Sequence, residues 1–403
     1  MWLKKEMTGK RNPMRILVVD NVNYADYPTG GIMSFYRNLL PAFGNDLLLA
    51  GITTDATGIV GKWEKREIGG TSFDYYTMAH VTPTATRPLI PERITNCIHI
   101  KKHIRRILRR DDFDVILTHA PEVVYFIPDA YLRKTCFILP GIENPLSISR
   151  YPWARKLAGM YDRYFLMPKA KKVRWLLAAA DNDARQSFSE RSKGKIPASD
   201  VISFPTRYDE VFYKHQDKTK CREELGIDDD TRVFVTVGRL GWFKGWKLMI
   251  DAFRICQSTN ENSHLYFIGD GEDENRIRSY IEMCHLKHSV FLVGKKEPKT
   301  IAVYLNAADV FVMGSMVEGW STTLVEACAC GVPCVVTNFS SAKEMVHDGI
   351  NGFVVDERNE KRFAEKMIEA QKLCRDKVVE YDKRYEKYAI RYLKKDLLEI
   401  IGS

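Results

Sequence analysis

The chain has 403 residues, a length that predicts two domains rather than one hydrophobic core. Its apolar fraction of 45% and charged fraction of 28% are those of a globular protein and exclude the disordered and fibrous classes. The net charge of +9 favours an anionic partner, and without a zinc-finger, RRM or basic-zipper pattern we do not expect that partner to be nucleic acid.

The sequence gives no sign of membrane insertion or export. No run approaches the roughly 18 apolar residues that a membrane-spanning helix needs. The start, "MWLKKEM", turns polar without the apolar core of a secretory signal, so we expect a cytoplasmic protein. The nine cysteines include no CxxC pair, and "ACACGVPC" (327–334) has no fourth ligand at a recognisable spacing. We therefore expect reduced thiols and no metal site.

Strands alternate with helices from the first apolar run onward, which predicts a parallel sheet covered by helices. The first strand is "MRILVVD" (14–20), and Gly30 and Gly31 then open an amphipathic helix in "TGGIMSFYRNLL". Further strands in this half are predicted at "LLLAGITT" (47–54), "DVILTH" (114–119), "CFILPG" (136–141), "WLLAAA" (175–180) and "DVISFP" (200–205).

The same pattern restarts in the second half and predicts a second domain. Its strands are expected at "RVFVTVGRL" (232–240), "HLYFIGDG" (264–271), "VFLVG" (290–294), "DVFVMGS" (309–315), "PCVVTN" (333–338) and "GFVV" (352–355). The segment 381–400 is predicted to be one long amphipathic helix. The predicted division is an N-terminal extension over 1–13, a first domain over 14–208, a second over 209–382, and a C-terminal helix over 383–403 that packs back on the first domain. Two such α/β domains hold a ligand in the cleft between them, at the carboxyl ends of their strands.

Two loops of the second domain carry candidate binding groups. Arg239 follows the first strand, and Lys244 lies in a Gly-flanked loop before a helix that begins near Trp246. Both cations would lie near a helix N-terminus and could bind a phosphate, although a solvated basic loop has the same composition. Gly269 and Asp270, in "FIGDGED", indicate a tight turn where another group approaches.

A third loop, "EGWSTTLVE", places Glu318 and Glu326 on either side of a helix start. Thr323 and Glu326 fit a capping box, in which case Glu326 ties down the helix and Glu318 is a surface residue. Alternatively, the loop is a phosphate cradle at a helix N-terminus, and its two carboxylates accept hydrogen bonds from hydroxyl groups at either end of a ligand. The residues of the cradle would be Gly319, Trp320, Ser321, Thr322 and Thr323.

Taken together, "VGRLGWFKG", "GDG" and "EGWSTTLVEACACGVPCVVT", in this order, resemble family 4 of the retaining glycosyltransferases, which have the GT-B fold. The resemblance covers 230–360 closely and 14–45 and 112–145 more loosely. It implies two Rossmann-like domains that face each other across a cleft. Two departures, Pro140 before Gly141 and Trp-Ser-Thr in the middle of the signature loop, leave the sugar and the acceptor open.

The resemblance also implies roles for the candidate residues. Glu326 would hold the donor ribose, Glu318 the transferred sugar, and Arg239 and Lys244 the diphosphate. The backbone of 319–323 would cradle the phosphate, with the turn at Gly269 and Asp270 beside the donor. In the first domain, the glycine-rich loop with Gly30 and Gly31 would face donor and acceptor, and His119 in "LTHAPE" would contact the transferred sugar.

These expectations define a metal-independent retaining enzyme that transfers a hexose-type sugar from a UDP- or GDP-linked donor to a saccharide or lipid-linked acceptor, in surface polysaccharide or glycolipid synthesis. Two alternatives are a nucleotide-sugar epimerase of GT-B type and a two-domain ligand-binding protein. Two basic stretches, 99–112 and 150–175, also suggest peripheral contact with an anionic membrane. A helix packed on the sheet with a solvated basic face is the other interpretation of such a stretch.

Overall fold

The computed structural model describes residues 14–27, 31–82, 92–147 and 152–402. The chain divides into two compact units. The first contains the described residues up to Ala178, Phe188–Ile202 and those from Lys394 onward; the second contains Ala179–Ser187 and Ser203–Leu393.

The first unit is built on a sheet with strand order β3-β4-β2-β1-β5-β6-β7-β8. The strands are β1 (Ile16–Val19), β2 (Leu47–Thr53), β3 (Trp63–Ile68), β4 (Thr71–His80), β5 (Val115–Thr118), β6 (Thr135–Leu139), β7 (Trp175–Ala178) and β8 (Val201–Ser203). β1 pairs in parallel with β2 and β5, and every residue of these three strands is buried. The continuous apolar runs of the sequence are therefore central strands covered on both faces.

An antiparallel hairpin of β3 and β4 extends this sheet beyond the predicted strands. Its two-residue turn is Gly69–Gly70, with φ values of +58° and +77°. Glycine adopts such angles without steric cost, and two glycines between strands favour a tight hairpin. The polar alternation of β3 at the edge of the sheet concealed this strand from a search for apolar runs.

Helices cover this sheet. They are α1 (Gly31–Phe43), α2 (Glu92–Leu108), α3 (Pro121–Phe126), α4 (Asp129–Leu132), α5 (Pro152–Lys156), α6 (Ala158–Met160) and α7 (Met167–Ala170), with a π-helical turn at Tyr161–Leu166 and 3₁₀ turns at Gly44–Asp46 and Ala198–Asp200. The next helix, α8 (Asn182–Arg191), has its first six residues in the second unit and its last four in the first. The apolar residues of α2 predicted to form one face, Ile100, Ile104, Ile107 and Leu108, are all buried in the core. The basic face of α2 is thus the solvated outer side of a packed helix.

The second unit has a fully parallel sheet with strand order β11-β10-β9-β12-β13-β14. Its strands are β9 (Arg232–Val237), β10 (Ser263–Ile268), β11 (Val290–Gly294), β12 (Val310–Met313), β13 (Cys334–Thr337) and β14 (Gly352–Val355). Its helices are α9 (Lys218–Leu225), α10 (Trp246–Thr259), α11 (Glu274–Met283), α12 (Pro298–Ala307), α13 (Thr322–Ala329), α14 (Ala342–Met345), α15 (Glu360–Ala370) and α16 (Arg375–Asp382), with a 3₁₀ turn at Trp242–Lys244. The predicted α/β class is confirmed for both units.

The prediction of one long helix over 381–400 is wrong. After α16 the chain forms 3₁₀ turns at Lys383–Tyr388 and Ile390–Tyr392, and α17 spans Leu393–Ile401. The break falls at Ala389, which is extended, with a ψ of 147°, and forms a β-bridge with Tyr208. Two backbone hydrogen bonds through Tyr208 outweigh the helical periodicity of the sequence. In the first unit, Lys394 pairs with Asp46 at 3.0 Å.

Across the described ranges, no helix combines the length and apolar character required to cross a membrane.

Candidate functional site

The loops after β9 and β10 lie in backbone contact. Gly269 has a φ of +144°, and a Cβ there would lie 2.0 Å from the carbonyl oxygen of Gly238. A Cβ on Gly271 would lie 2.4 Å from the carbonyl oxygen of Leu240. The group that approaches the predicted tight turn is therefore the backbone of the loop that carries Arg239. Asp270 is exposed, and its carbonyl accepts from the Leu240 N–H at 2.8 Å.

Arg239 reaches solvent from this loop. Its Nε donates to Glu272 at 2.8 Å, and the two side chains are 54% and 44% exposed. An exposed ion pair of this kind contributes about 0–1 kcal/mol and exchanges readily for a stronger anion. Arg239 is thus available to a phosphate at little cost.

Lys244 is positioned by a contact between two glycines. α10 begins at Trp246, as predicted, directly after Gly245, which has a φ of +70°. A Cβ on Gly245 would lie 1.8 Å from the carbonyl oxygen of Gly314. The loop after β9 therefore touches the loop after β12, and this contact brings Lys244 to the residues that follow β12.

At this contact Lys244 forms an ion pair with Glu318. The side chains are 24% and 14% exposed, so solvent screens their interaction only in part. Ser315 is buried and donates to the same Glu318 oxygen, Oε1, at 2.7 Å. Arg358 donates to the carbonyl oxygens of Gly314 and Ser315 at 2.9 and 3.0 Å, which fixes the loop after β12.

A small cleft opens at the carboxyl ends of β9 and β12 within the second unit. Its lining includes Gly238, Arg239, Lys244, Met313 and Ser315. Two of the predicted site residues thus line one concave surface that combines two cations, a hydroxyl group and apolar walls. Such a surface suits an anionic ligand with an apolar portion.

The start of α13 tests the capping-box interpretation of the signature loop. Ser321 is the N-cap, and its hydroxyl accepts from the Leu324 N–H at 3.4 Å. The capping-box interpretation of Thr323 and Glu326 is therefore wrong, because Thr323 lies inside the first helical turn. Thr322 and Thr323 occupy the first two helical positions, where N–H groups have no acceptor within the helix. This helix start can therefore accept an anion.

Glu326 lies in the second turn of α13, where it does not cap the helix. Burial raises the pKa of the Glu326 carboxyl to about 8, and a hydrogen bond from the Tyr213 hydroxyl opposes part of this shift. Near neutral pH this carboxyl is therefore largely protonated. A ligand whose hydroxyl groups donate to it would favour the ionised form instead.

Trp320 and Gly319 contribute differently to the loop. The Trp320 side chain is buried in the core of the second unit, where it packs edge-on against Tyr388 at 5.4 Å between ring centroids. The Trp320 backbone remains part of the loop. Gly319 is exposed, and its carbonyl accepts from the Ser341 hydroxyl at 3.4 Å. The bulk of the tryptophan thus anchors the loop.

His119, in the first unit, belongs to a buried polar cluster with Asp20 and Tyr36. The Asp20 carboxylate accepts from the Thr118 hydroxyl at 3.1 Å and from the His119 backbone N–H at 3.0 Å. The Tyr36 hydroxyl donates to Asp20 and lies 3.0 Å from His119 Nδ1. Burial and the Asp20 charge raise the pKa of Tyr36 well above its ordinary value.

These contacts determine the state of the His119 ring. A tyrosine hydroxyl has one proton, and here Asp20 accepts it, so the Tyr36 oxygen accepts from His119 Nδ1–H. In the neutral ring, Nε2 then carries a lone pair and accepts a hydrogen bond. A hydroxyl group of a ligand is a suitable donor.

The remaining candidates of the first unit are the two glycines. Gly31 begins α1, is exposed, and a Cβ there would meet nothing within 4 Å. Protein packing therefore does not require glycine at this position. Gly30 lies outside the described residues.

Several residues of these clusters were missed from the sequence. Asp20 and Ser315 each follow a buried strand, β1 and β12, and a polar residue at that position was a usable signal. Tyr36 lies on the buried face of α1, and its sequence position does not distinguish it from an ordinary aromatic residue of the core. Arg358 and Tyr213 come from distant parts of the second unit, and their sequence context carries no comparable signal.

The family described as "Glycosyl transferases group 1" matches residues 217–392, the part of the chain that contains the signature loop. An N-acetyl-alpha-D-glucosaminyl L-malate synthase of Bacillus anthracis is 26% identical over 160 residues, which are 40% of this chain and 41% of that protein. A UDP-Gal:alpha-D-GlcNAc-diphosphoundecaprenol alpha-1,3-galactosyltransferase of Escherichia coli is 29% identical over 68% of this chain and 73% of its own length. The chain spans about half the length of several of the curated relatives it matches.

The crystal structure of Anabaena HepE in complex with UDP and glucose is similar over the full length. It aligns with a TM-score of 0.69 at 16% identity and covers 97% of this chain and 100% of HepE. The outer core galactosyltransferase WaaB of lipopolysaccharide synthesis aligns with a TM-score of 0.64 over 96% of this chain and 99% of its own, at 15% identity. These likenesses confirm the GT-B fold and agree with the resemblance seen in the signature motif.

Proposed function

This chain belongs to the family of glycosyl transferases group 1, and from this premise we propose that it is a retaining glycosyltransferase that moves a hexose-type sugar from a nucleoside-diphosphate sugar to a saccharide or lipid-linked acceptor. The observation that carries the proposal is the ion pair of Lys244 and Glu318 beside the cleft that Arg239 also lines. A cation held by a displaceable carboxylate, next to a second cation with an exposed partner, suits a ligand that brings its own diphosphate.

The proposed reaction breaks the bond between the sugar and the diphosphate through an oxocarbenium-like state. Negative charge grows on the departing diphosphate, and the fixed cations of Lys244 and Arg239 stabilise that charge. The acceptor hydroxyl forms the new glycosidic bond on the same face, and its proton passes to the leaving phosphate. Glu318 accepts hydrogen bonds from the hydroxyl groups of the transferred sugar, and the Ser315 hydroxyl donates to them.

Glu326 and the start of α13 supply the other contacts in the proposed complex. The N–H groups of Thr322 and Thr323 bind phosphate oxygens, with the backbone of 319–321 completing the cradle. The carboxyl of Glu326 binds the ribose hydroxyl groups. The turn at Gly269 and Asp270 lies beside the donor, and His119 Nε2 and the loop that contains Gly31 serve the transferred sugar.

The names of similar proteins guide the choice of donor and acceptor. HepE binds UDP and glucose, and the name of the E. coli relative specifies a UDP-sugar donor and a lipid diphosphate acceptor. A UDP-linked hexose is therefore the first donor to test, and a lipid-linked saccharide the first acceptor. A role in surface polysaccharide synthesis, at the cytoplasmic side of a membrane, remains a prediction.

The test is a thermal-shift and calorimetric screen against UDP, GDP, ADP and their common sugars. We expect one nucleotide and its sugar to raise the melting temperature, and Lys244→Ala and Glu326→Ala to abolish the rise. A chain that responds to none of these ligands would refute the donor-site assignment. A response that both variants retain would place the nucleotide elsewhere.

A further inference from the structure

An exposed apolar stripe runs along the interrupted helix 152–170 of the first unit. It consists of Trp153, Leu157, Met160 and Tyr164, which are 51%, 36%, 54% and 63% exposed. The spacings of four, three and four residues place them on one face of a helix. A surface helix of a globular protein normally buries such a face in its own core, so this exposed stripe requires an explanation.

The opposite side of the same helix already packs on the protein. Ala154, Leu166 and Met167 are buried. The ring of Phe165 stacks on Tyr125 of α3 at 4.0 Å between centroids with an interplanar angle of 14°. The helix is thus anchored by a second apolar face, and the stripe remains exposed to solvent on the other side.

The exposed charged residues of the stripe's own segment, 153–164, are all positive. Arg155, Lys156 and Arg163 are exposed among its apolar residues, and the Arg163 guanidinium lies 5.2 Å from the Tyr164 ring centroid. Asp162 is the one carboxylate in the sequence from 152 to 174, and it is buried and paired with Arg191 at 3.0 Å. Among its described residues, this segment therefore exposes apolar groups and cations but no carboxylate of its own.

A second element with the same composition lies close by. On α2, Ile94 and Ile98 are 45% and 57% exposed, and Lys101, Lys102 and Arg105 are exposed along the same helix. Arg93 of α2 pairs at 3.0 Å with Glu122 of α3, the helix on which Phe165 stacks. α3 therefore links the helix that carries the stripe to α2. Both of these helices expose apolar residues beside cations.

We propose that the apolar stripe, with its flanking cations, docks the first unit on a bilayer rich in anionic lipid. Tryptophan and tyrosine are favoured at the boundary between headgroups and acyl chains, and leucine and methionine insert below it. Each lysine or arginine near an anionic surface adds to the attraction. A second copy of this chain is a poorer occupant, because it would bring an equal set of cations to the same face.

Vesicle sedimentation of the full chain tests the proposal. We expect partition onto vesicles of phosphatidylglycerol and phosphatidylcholine, much weaker partition onto phosphatidylcholine alone, and a decrease at high salt. Met160→Ser is compared with Met283→Ser, because Met283 is equally exposed, at 65%, on the second unit. Lys156→Glu is compared with Lys299→Glu, an exposed lysine of α12, because both variants change the net charge equally.

Met160→Ser and Lys156→Glu should each lower partition about tenfold, whereas the two control variants should lower it less than about twofold. Equal losses in Met160→Ser and Met283→Ser, or no partition of the unaltered chain, would overturn the proposal. A concentration-dependent dimer that Met160→Ser alone abolishes would identify the stripe as an interface between copies and would also overturn it. Circular dichroism of each variant shows that it is folded, and since vesicle binding needs no nucleotide, its failure would leave the proposed transferase activity standing.

Discussion

The ammonium group of Lys244 is paired with the carboxylate of Glu318, which lies 74 residues further along the chain. The pair forms where the loop after β9 meets the loop after β12, two strands that are neighbours in the parallel sheet. A sequence signature that looks local, with two glutamates eight residues apart, therefore acts together with a lysine from another loop. In the proposed complex the diphosphate replaces this carboxylate as the partner of Lys244, which leaves Glu318 for the sugar.

Lys244→Ala should reduce sugar transfer and the thermal shift with the nucleotide more strongly than substitution of a surface lysine does. Removal of a positioned charge-stabilising donor lowers turnover by about 10²–10³-fold. We expect that loss in sugar transfer, together with a smaller thermal shift by UDP or GDP. Lys247→Ala is the matched control, because Lys247 is 61% exposed on α10 and pairs with Asp251. Equal thermal shifts in both variants would show that Lys244 does not bind the diphosphate.

Sequence analysis predicted the strands of both sheets where their apolar runs are continuous and buried, as in β1 and β12. It predicted neither β3, whose residues alternate at an exposed edge, nor its hairpin partner β4. It also failed at Ala389, where pairing with Tyr208 interrupts a helical pattern, since a tertiary hydrogen bond leaves no local trace. In the candidate site, loop residues such as Lys244 were predictable, whereas their partners from other elements required the fold.

Nucleotide binding should release a proton from Glu326 near pH 7. Burial raises the pKa of this carboxyl to about 8, and ribose hydroxyl groups that donate to it would stabilise the ionised form and lower that pKa. The binding enthalpy of the nucleotide should therefore depend on the ionisation enthalpy of the buffer. Glu326→Gln should release up to about one proton fewer, while protons of the diphosphate contribute equally in both proteins. If Glu326→Gln leaves the buffer dependence unchanged, the Glu326 carboxyl does not ionise on binding and keeps its hydrogen bond with Tyr213.

The same carboxyl should make the nucleotide-free protein less stable as the pH rises. In the unfolded chain it ionises near 4.5, but in the folded protein near 8. Between these values the folded state binds more protons, so the free energy of unfolding falls by up to about 1.4 kcal/mol per pH unit from this group. Urea denaturation at pH 5 and 8 should show a smaller fall for Glu326→Gln than for the unaltered chain. Glu360→Gln, at an exposed residue of α15, is the control and should leave the fall unchanged.

Tyr36→Phe should change the tautomer of His119. Because the Tyr36 hydroxyl donates its proton to Asp20, we infer that its oxygen accepts from Nδ1–H, so NMR of ¹⁵N-imidazole-labelled protein should show His119 protonated at Nδ1 near pH 8. Without the hydroxyl this preference is lost and an Nε2–H form should appear, with about 1–3 kcal/mol of lost stability. Tyr76→Phe is matched, because the Tyr76 hydroxyl lies 3.0 Å from His103 Nδ1, and it should affect His103 alone. An Nε2–H form of His119 in the unaltered chain would contradict the assignment.

Gly245→Ala should destabilise the protein far more than Gly226→Ala. Both glycines have nearly the same left-handed backbone, with φ values of +70° and +66°, so the intrinsic strain of alanine, about 1–2 kcal/mol, is shared. A Cβ on Gly226 meets nothing within 4 Å, whereas one on Gly245 would lie 1.8 Å from the carbonyl oxygen of Gly314. This backbone overlap forces the two loops apart and should cost about 1–3 kcal/mol more.

The same displacement should carry Lys244 away from Glu318, so Gly245→Ala should also lose most of its thermal shift with the nucleotide, while Gly226→Ala keeps it. Urea denaturation gives the stabilities, and the thermal shift of each variant is measured from its own melting temperature without nucleotide. Equal losses of stability in the two variants would show that the loops separate without cost. In that case the contact of Gly245 with Gly314 would not be what positions Lys244, and the arrangement of the cations would depend on Arg358 and the hydrogen bonds of the loop after β12.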